Sequence, residues 1–231
     1  LVEGTDITED LGIIKYELPI TDVLNVRRAT IPYGIPKTDE ERWQNFRDPL
    51  PFGEIVDITL KIDGESLTSY YNLKVGEFGV TSRSQDLKPE SSNKFTQVAE
   101  QFDLAQILPA FCKDRGVSLA LRGERYGTGS ANRPHNPHSK LDPSVAFFSV
   151  FNIGTLSYEN KGSEFYYQNV CEQLGLPTVE LLEKDVILTP ELIKKYDEEL
   201  KTINGKPFEG VVVKHAHGSF KIINKNYDEK S

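Results

Sequence analysis

The sequence contains no methionine, one tryptophan and two cysteines in 231 residues. Cys112 and Cys171 lie far apart and lack the close spacing of metal ligands. We therefore expect reduced core thiols and an intracellular location, cytoplasmic or nuclear, in a reducing compartment. No apolar run reaches the ~20 residues that a membrane-spanning helix needs, and no signal or transit segment is visible. These absences predict a protein without a membrane partner.

Positive charge is also scarce, because the formal net charge is −8. Such a balance does not favour general affinity for nucleic acid, so a nucleic-acid partner requires a local basic patch or a second, basic domain. No repeat or linker is visible, and we expect one domain over residues 1–231. Because the chain opens with Leu1 and lacks methionine, we expect it to be processed or a fragment of a longer protein.

The pattern of apolar residues predicts an α+β fold of antiparallel sheets with flanking helices. Strands are expected at 12–18, 55–62, 66–73, 78–83, 117–124, 145–153, 208–215 and 219–224. Helices are expected at 39–46 (capped by Thr38 or Asp39), 93–108, 163–174 and 190–203. The loop at 126–143 carries His135 and His138, which we interpret as surface histidines without a role.

Lys61-Ile62-Asp63-Gly64 ends an apolar strand, and it is the stretch with the clearest chemical potential. A lysine at a strand end, followed by a turn residue and a glycine, can place one amine at the mouth of a pocket. The alternative is a solvated turn between two strands. The rest of the chain decides between these interpretations.

Five polar segments lie at strand ends in a fixed order, with an aromatic strand at 147–152 between the third and the fourth. They are 61–65, 82–84, 122–127, 208–214 and 219–221. This order resembles the covalent nucleotidyltransferases, which are the polynucleotide ligases and the mRNA capping enzymes. The resemblance covers about residues 55–225 and implies a nucleotidyltransferase (ATP-grasp-like ligase) domain.

Within that superfamily the details are similar to RNA ligases. Residues 123–127 read Gly-Glu-Arg-Tyr-Gly, like the G-E-x-x-G segment of nick-sealing RNA ligases, and the tryptophan-lysine segment usual near the end of DNA ligases is missing. The chain looks most like the Deinococcus and Naegleria type. In that group an OB domain precedes the catalytic domain, so we expect such a module to be absent from this chain.

The resemblance implies that Lys61 attacks the α-phosphorus of ATP and forms a lysyl-AMP. A lysine nucleophile near neutral pH needs a pKa well below the ~10.4 of free lysine, and burial with nearby cations provides this. Asp63 would orient the lysine–AMP bond or a metal-bound water. Glu209 would bind Mg²⁺ (or Mn²⁺) through water, because this ion takes few protein carboxylates.

Three further residues are expected to bind the nucleotide. Arg83 would hold phosphate or ribose, and Glu124 would accept hydrogen bonds from the ribose hydroxyls. Phe151 aligns best with the aromatic residue that stacks on adenine, with Phe147 and Phe148 as alternatives. Strand alternation places Phe147 and Phe151 on one face and Phe148 on the other.

Two lysines near the end of the chain are expected to neutralise the α-phosphate as charge develops on it. They are Lys214 and Lys221. The final family segment often has a second lysine two residues further on, where this chain has Ile223. Lys225 follows two residues later and is the candidate for that second role.

The predicted reaction has three steps: AMP transfer from ATP to Lys61, AMP transfer to a 5′-phosphate end, and sealing by attack of a 3′-hydroxyl. The expected partner is RNA with 3′-hydroxyl and 5′-phosphate ends in a nicked duplex, and the expected state is a monomer. Three alternatives stay open: an ATP-dependent DNA ligase, a GTP-using capping enzyme, and a non-catalytic nucleic-acid binding module. The intact lysines disfavour the module.

Overall fold

A computed structural model describes residues 27–37, 39–46, 49–130 and 135–228. The expected strand at 12–18 and the proposed cap Thr38 lie outside these residues, and the expected single domain over 1–231 stays a prediction. Within them, two antiparallel sheets and flanking helices confirm the α+β class. None of the described helices is long and apolar enough to cross a membrane.

The elements alternate between strands and short helices along the chain. The strands are β1 Arg27–Thr30, β2 Ile55–Lys61, β3 Glu65–Asn72, β4 Glu77–Thr81, β5 Gln85–Leu87, β6 Leu119–Tyr126, β7 Ser144–Asn152, β8 Ser157–Tyr158, β9 Leu181–Ile187, β10 Gly210–His215 and β11 Gly218–Ile223. The helices are α1 Lys94–Gln101, α2 Leu104–Arg115, α3 Tyr167–Leu174, α4 Pro190–Lys194 and α5 Lys225–Asp228. A 3₁₀ turn at Trp43–Asn45 replaces the helix expected at 39–46, and a π-helical turn at Lys195–Glu199 continues α4.

The larger sheet has seven strands in the order β1-β5-β4-β3-β6-β7-β8. One face is covered by α1, α2 and α3, and the apolar side chains between them form the largest core. Side chains on the opposite face include Tyr70, Ala120 and Phe151, which pack against Ile35 from the segment before β2. The two faces follow from the alternation of side chains along β3 and β6.

The smaller sheet has four strands in the order β11-β10-β2-β9. One face packs Ile58, Val211 and Phe220 against α4 and the π-helical turn. The other face carries polar residues at alternate positions, among them Thr59 and Lys61 on β2. That polar face lines a cleft between the two sheets.

Strand β9 was not expected from the sequence. Its residues Glu183, Lys184 and Asp185 interrupt the apolar alternation, and Asp185 has a positive φ of 54°. The strand lies at a sheet edge, where one face is solvated, and its register with β2 shifts twice. An irregular edge strand needs a partner to form, so its own sequence is a weak signal.

The helix expected at 93–108 is two helices, separated where Asp103 adopts a left-handed conformation with φ 55°. The second helix continues past Pro109 to Arg115. Leu104, Leu108 and Cys112 recur every four residues and are fully buried against the larger sheet. This packing outweighs the hydrogen bond that the proline cannot make.

Candidate active site

Lys61 ends β2 at the cleft, and its amine is paired with a carboxylate. Its Nζ lies 2.7 Å from Oε2 of Glu209, and both side chains are partly buried. Glu209 immediately precedes β10, in which Gly210 pairs with Lys61 across the sheet. The antiparallel register therefore brings the two charged groups together from positions 148 residues apart.

Both glycines beside these groups are required by close backbone approach. A Cβ on Gly64 would lie 2.3 Å from the carbonyl oxygen of Arg125, and one on Gly210 would lie 2.2 Å from that of Ile222. Neither backbone can move without disturbing its sheet. The glycine that follows Lys61 and the glycine that follows Glu209 therefore allow the close backbone packing that fixes the positions of these two side chains.

Glu124 approaches the turn after Lys61 from β6. Its Oε1 accepts a hydrogen bond from the backbone N–H of Gly64 at 3.1 Å. Burial raises the pKa of the Glu124 carboxyl to about 8, although the charge of Lys61 opposes part of this rise. The cleft thus holds a carboxyl group that is easily protonated next to the Lys61–Glu209 pair.

Asp63 lies beside Lys61 and is held by two groups from distant parts of the chain. The hydroxyl of Tyr227 donates to its Oδ2 at 2.9 Å, and the side-chain amide of Asn136 donates to its backbone oxygen. His135, the residue before Asn136, packs edge-on against Tyr227, and the ring of His138 contacts the amide oxygen of Asn136. The loop histidines expected at the surface are thus packed beneath the active-site turn.

The two predicted partner lysines occupy different places. Lys221 lines the cleft, where burial first and the charge of Lys61 second lower its pKa. Lys214 lies deeper, almost fully buried, with Nζ 5.2 Å from the ring centre of Tyr167 and 5.8 Å from that of Phe148. Burial lowers the pKa of Lys214 as well. The structure thus brings Lys221 to Lys61 but leaves Lys214 behind Phe148.

Lys225 does not join the site. Its Nζ pairs with Glu198 at 2.7 Å and with Asp197 at 3.0 Å, away from the cleft. The side chain of Arg83, in contrast, lines the cleft, and it pairs with Asp39 at 2.6 Å on an exposed rim.

Strand β7 carries Phe147, Phe148 and Phe151. Of these, Phe148 lines the cleft and Phe151 does not. Arg122 pairs with Ser149 and Gly123 with Phe147, so Phe148 is the extra residue of a β-bulge.

Phe151 pairs with Ala120, four residues along β6 from Glu124, and it is buried in the cluster with Tyr70. Four strand residues span about 13 Å, which places Phe151 out of reach of the cleft. The structure therefore does not bring Phe151 to the cleft, although its alignment with the family's stacking aromatic led us to expect it there. Distance along β7 keeps Phe151 away, and the bulge brings Phe148 to the cleft instead.

Several residues near the site were not assigned from the sequence. Asp39 and Glu40 line the cleft, and Glu40 accepts a hydrogen bond from Ser219 at 2.7 Å. Arg122 and Arg125 are buried in the larger sheet; Arg122 stacks on Tyr158 at 5.0 Å, and Arg125 binds Glu65. Of these residues, only the acidic run at 39–41 stands out in the sequence. A run of acidic residues does not indicate where in the fold it lies.

The cleft has a volume of about 410 Å³, a size typical of small-ligand sites. Among the described residues no group of three His, Cys, Asp or Glu side chains could hold a metal ion by itself. Asp63 and Glu209 nevertheless line the cleft beside Lys61. This donor set fits a hydrated Mg²⁺ or Mn²⁺ ion, which binds through few carboxylates and its own waters.

A lysine amine paired with the carboxylate of Glu209, in a cleft of small-ligand size between two antiparallel sheets, is typical of a group-transfer site. The RNA ligase family matches residues 54–227, about three quarters of the chain. The chain therefore belongs to the RNA ligase family. No curated protein sequence matches it.

Solved structures of one ligase are similar over nearly the whole chain. A mutant of Naegleria gruberi RNA ligase with ATP and Mn has a TM-score of 0.74 and 27% identity, covering 98% of this chain and 67% of that one. A second mutant with AMP and Mn has a TM-score of 0.74 and 27% identity over 99% and 68%. The same ligase with PPi has a TM-score of 0.73 and 27% identity over 98% and 67%. This chain thus spans about two thirds of that protein.

Proposed function

We propose that this chain is the catalytic domain of an ATP-dependent RNA ligase in which Lys61 carries AMP between two substrates. The observation that supports this most directly is the Lys61–Glu209 pair at 2.7 Å on the wall of the cleft. The ligase from Naegleria gruberi, which has the same fold, has been crystallised with ATP, with AMP and with PPi. These three are a substrate, a retained group and a product of a lysine adenylylation.

In the first step the Lys61 amine attacks the α-phosphorus of ATP and expels pyrophosphate, with loss of a proton from nitrogen. Glu209 is within hydrogen-bond distance of that nitrogen and holds it in place. Lys221 supplies positive charge where negative charge grows on the phosphate oxygens. Burial first, and the charge of Lys61 second, lower the pKa of Lys221.

The second and third steps need no further covalent residue. An oxygen of a 5′-phosphate end attacks the AMP phosphorus, the phosphorus–nitrogen bond breaks, and Lys61 recovers its proton. A 3′-hydroxyl then attacks that 5′-phosphorus, AMP leaves, and the strand is sealed. Catalysis is mostly positioning and charge neutralisation, as in other phosphoryl transfers.

Glu209, with Asp63 nearby, would hold the divalent ion through water. Bound there, the ion supplies positive charge that stabilises the phosphate and the free amine form of the lysine. We assign stacking on the adenine ring to Phe148, since it is the aromatic residue of β7 that lines the cleft. Stacking does not distinguish purines, so the preference for ATP over GTP rests on the family resemblance.

The test is labelling with ATP that carries ³²P at the α-position, followed by acid denaturation. We expect label on the wild type and on Lys184→Ala, an exposed lysine of β9, but none on Lys61→Ala. Glu209→Ala and Lys221→Ala should each lower the labelling rate about 100-fold, the usual effect of one lost charged contact in a dry site. Appreciable label on Lys61→Ala refutes the assignment, and equal labelling by GTP refutes the ATP preference.

The expected polynucleotide is RNA with 3′-hydroxyl and 5′-phosphate ends in a nicked duplex. Matched nicks with RNA or DNA on each side of the break test this directly. Sealing that needs RNA at the nick supports the proposal. Equal sealing of an all-DNA nick contradicts it.

A further inference from the structure

We infer that Tyr227 is a positioning residue for the ligation reaction, acting through Asp63. Tyr227 lies in α5, near the end of the described chain, and is 2% exposed. Its hydroxyl donates to Oδ2 of Asp63 at 2.9 Å. The inference rests on the proposed function, because it assigns Tyr227 a part in the chemistry at Lys61.

The segment that carries Tyr227 holds both acidic neighbours of Lys61. The backbone N–H of Asn224 donates to the carbonyl oxygen of Glu209 at 2.9 Å, and its side-chain amide donates to the carbonyl oxygen of Phe208 at 3.3 Å. The N–H of Tyr227 in turn donates to the carbonyl oxygen of Asn224 at 3.0 Å. A displacement of this segment would therefore disturb Glu209 and Asp63 together.

The loop at 135–139 holds the same turn from a second side. The amide nitrogen of Asn136 donates to the backbone oxygen of Asp63, and its amide oxygen accepts from the N–H of His138 at 2.9 Å. The ring of His135 packs edge-on against Tyr227, with 4.5 Å between the ring centres. Asn136 is itself 3% exposed. The Tyr227 ring and the Asn136 amide thus form one packed support behind the turn.

Among the described residues, Tyr227 holds the carboxylate of Asp63 and Asn136 holds its backbone oxygen. The Tyr227 hydroxyl donates to Oδ2 of Asp63. The other carboxylate oxygen can then contact a ligand in the cleft that Asp63 lines. Without the hydroxyl the carboxylate is free to rotate about its side-chain bonds. Small displacements of a group that orients the reacting atoms lower rates by up to about 100-fold.

The test is Tyr227→Phe, which keeps the ring against His135 and removes only the hydroxyl. In single-turnover labelling we expect a rate about 10-fold to 100-fold lower, the usual range for a hydrogen bond to a charged group. The KM for ATP should change by less than about twofold, since the hydroxyl does not line the nucleotide cleft. Tyr196→Phe, which removes the buried hydroxyl bonded to Glu183, is the matched control and should label normally.

A double-mutant cycle separates positioning from general stability. If Tyr227 acts through Asp63, then Tyr227→Phe has no further effect on the rate in an Asp63→Ala background. An equal loss in both backgrounds, or a normal rate for Tyr227→Phe alone, overturns the inference. Asn136→Ala is the second variant: it removes the bond to the backbone oxygen of residue 63, which Asp63→Ala keeps, so it should lower the rate in both backgrounds.

The outcome is distinguishable from failure of the proposed function. If Lys61→Ala still takes label, the proposed function itself is wrong. If Lys61→Ala is inactive and Tyr227→Phe is normal, only the positioning role is wrong.

Discussion

Glu124→Gln should change how the stability of this protein depends on pH. Burial raises the pKa of Glu124 from an ordinary 4.5 to about 8. Between these values the folded protein keeps a proton that the unfolded chain releases. The free energy of unfolding therefore falls as pH rises from about 4.5 to about 8, and is constant above. Glutamine keeps the acceptor for the Gly64 N–H and cannot ionise.

The size of the effect follows from the two pKa values. Each pH unit between them corresponds to about 1.4 kcal/mol, which gives an upper limit of about 3.5 kcal/mol at pH 7. Glu124 is partly exposed. Water that reaches the carboxylate reduces this change in the free energy of unfolding, and we expect a change on the order of 1–2 kcal/mol. The variant should be the more stable protein at pH 8, with little difference at pH 4.5.

The assay is urea unfolding of the wild type and the variant at several pH values from 4.5 to 8.5. Glu172→Gln, on an exposed position of α3, is the matched control. We expect the difference between Glu124→Gln and the wild type to grow with pH, while the control runs parallel to the wild type. A constant difference between Glu124→Gln and the wild type refutes the reasoning. The same variant should label Lys61 poorly if Glu124 accepts hydrogen bonds from the ribose.

Three other predictions follow from single observations. Gly210→Ala should destabilise the fold by more than about 2 kcal/mol in urea unfolding, because its Cβ would meet the Ile222 carbonyl. Phe148→Ala should raise the KM for ATP about 10-fold, and Phe151→Ala should cost about 3 kcal/mol of stability instead; the reverse pattern would return the stacking role to Phe151. Sealing of nicked duplex by this acidic chain should be weak and fall steeply between low and moderate salt, whereas labelling of Lys61 should not.

The sequence by itself was sufficient to predict the local pattern of the central turn. A lysine that ends an apolar strand, followed by Asp63 and Gly64, predicted an amine at the mouth of a pocket, and in the structure Lys61 lines the cleft. The spacing of Glu209 and Gly210 before an apolar strand likewise predicted a carboxylate at a strand start. Such local patterns depend on two or three neighbouring residues, which is why they can be interpreted without a fold.

Tertiary structure decided which side chains share the cleft. Phe147, Phe148 and Phe151 are alike in sequence, and only the bulge opposite Arg122 and Gly123 turns Phe148 to the cleft. Lys214 and Lys221 are both strand lysines, yet only Lys221 lines the cleft. A register shift changes the face of every later side chain, and no local pattern encodes it.

The support beneath the turn was also beyond the reach of the sequence. Asn136 and Tyr227 bind Asp63 from positions 73 and 164 residues away. Each is an ordinary polar residue in a loop or a short helix, and neither forms a motif with its neighbours. Their contribution depends on distances across the folded chain. Hence the sequence determined which polar residues the turn carries, and the tertiary structure alone determined what holds the turn in position.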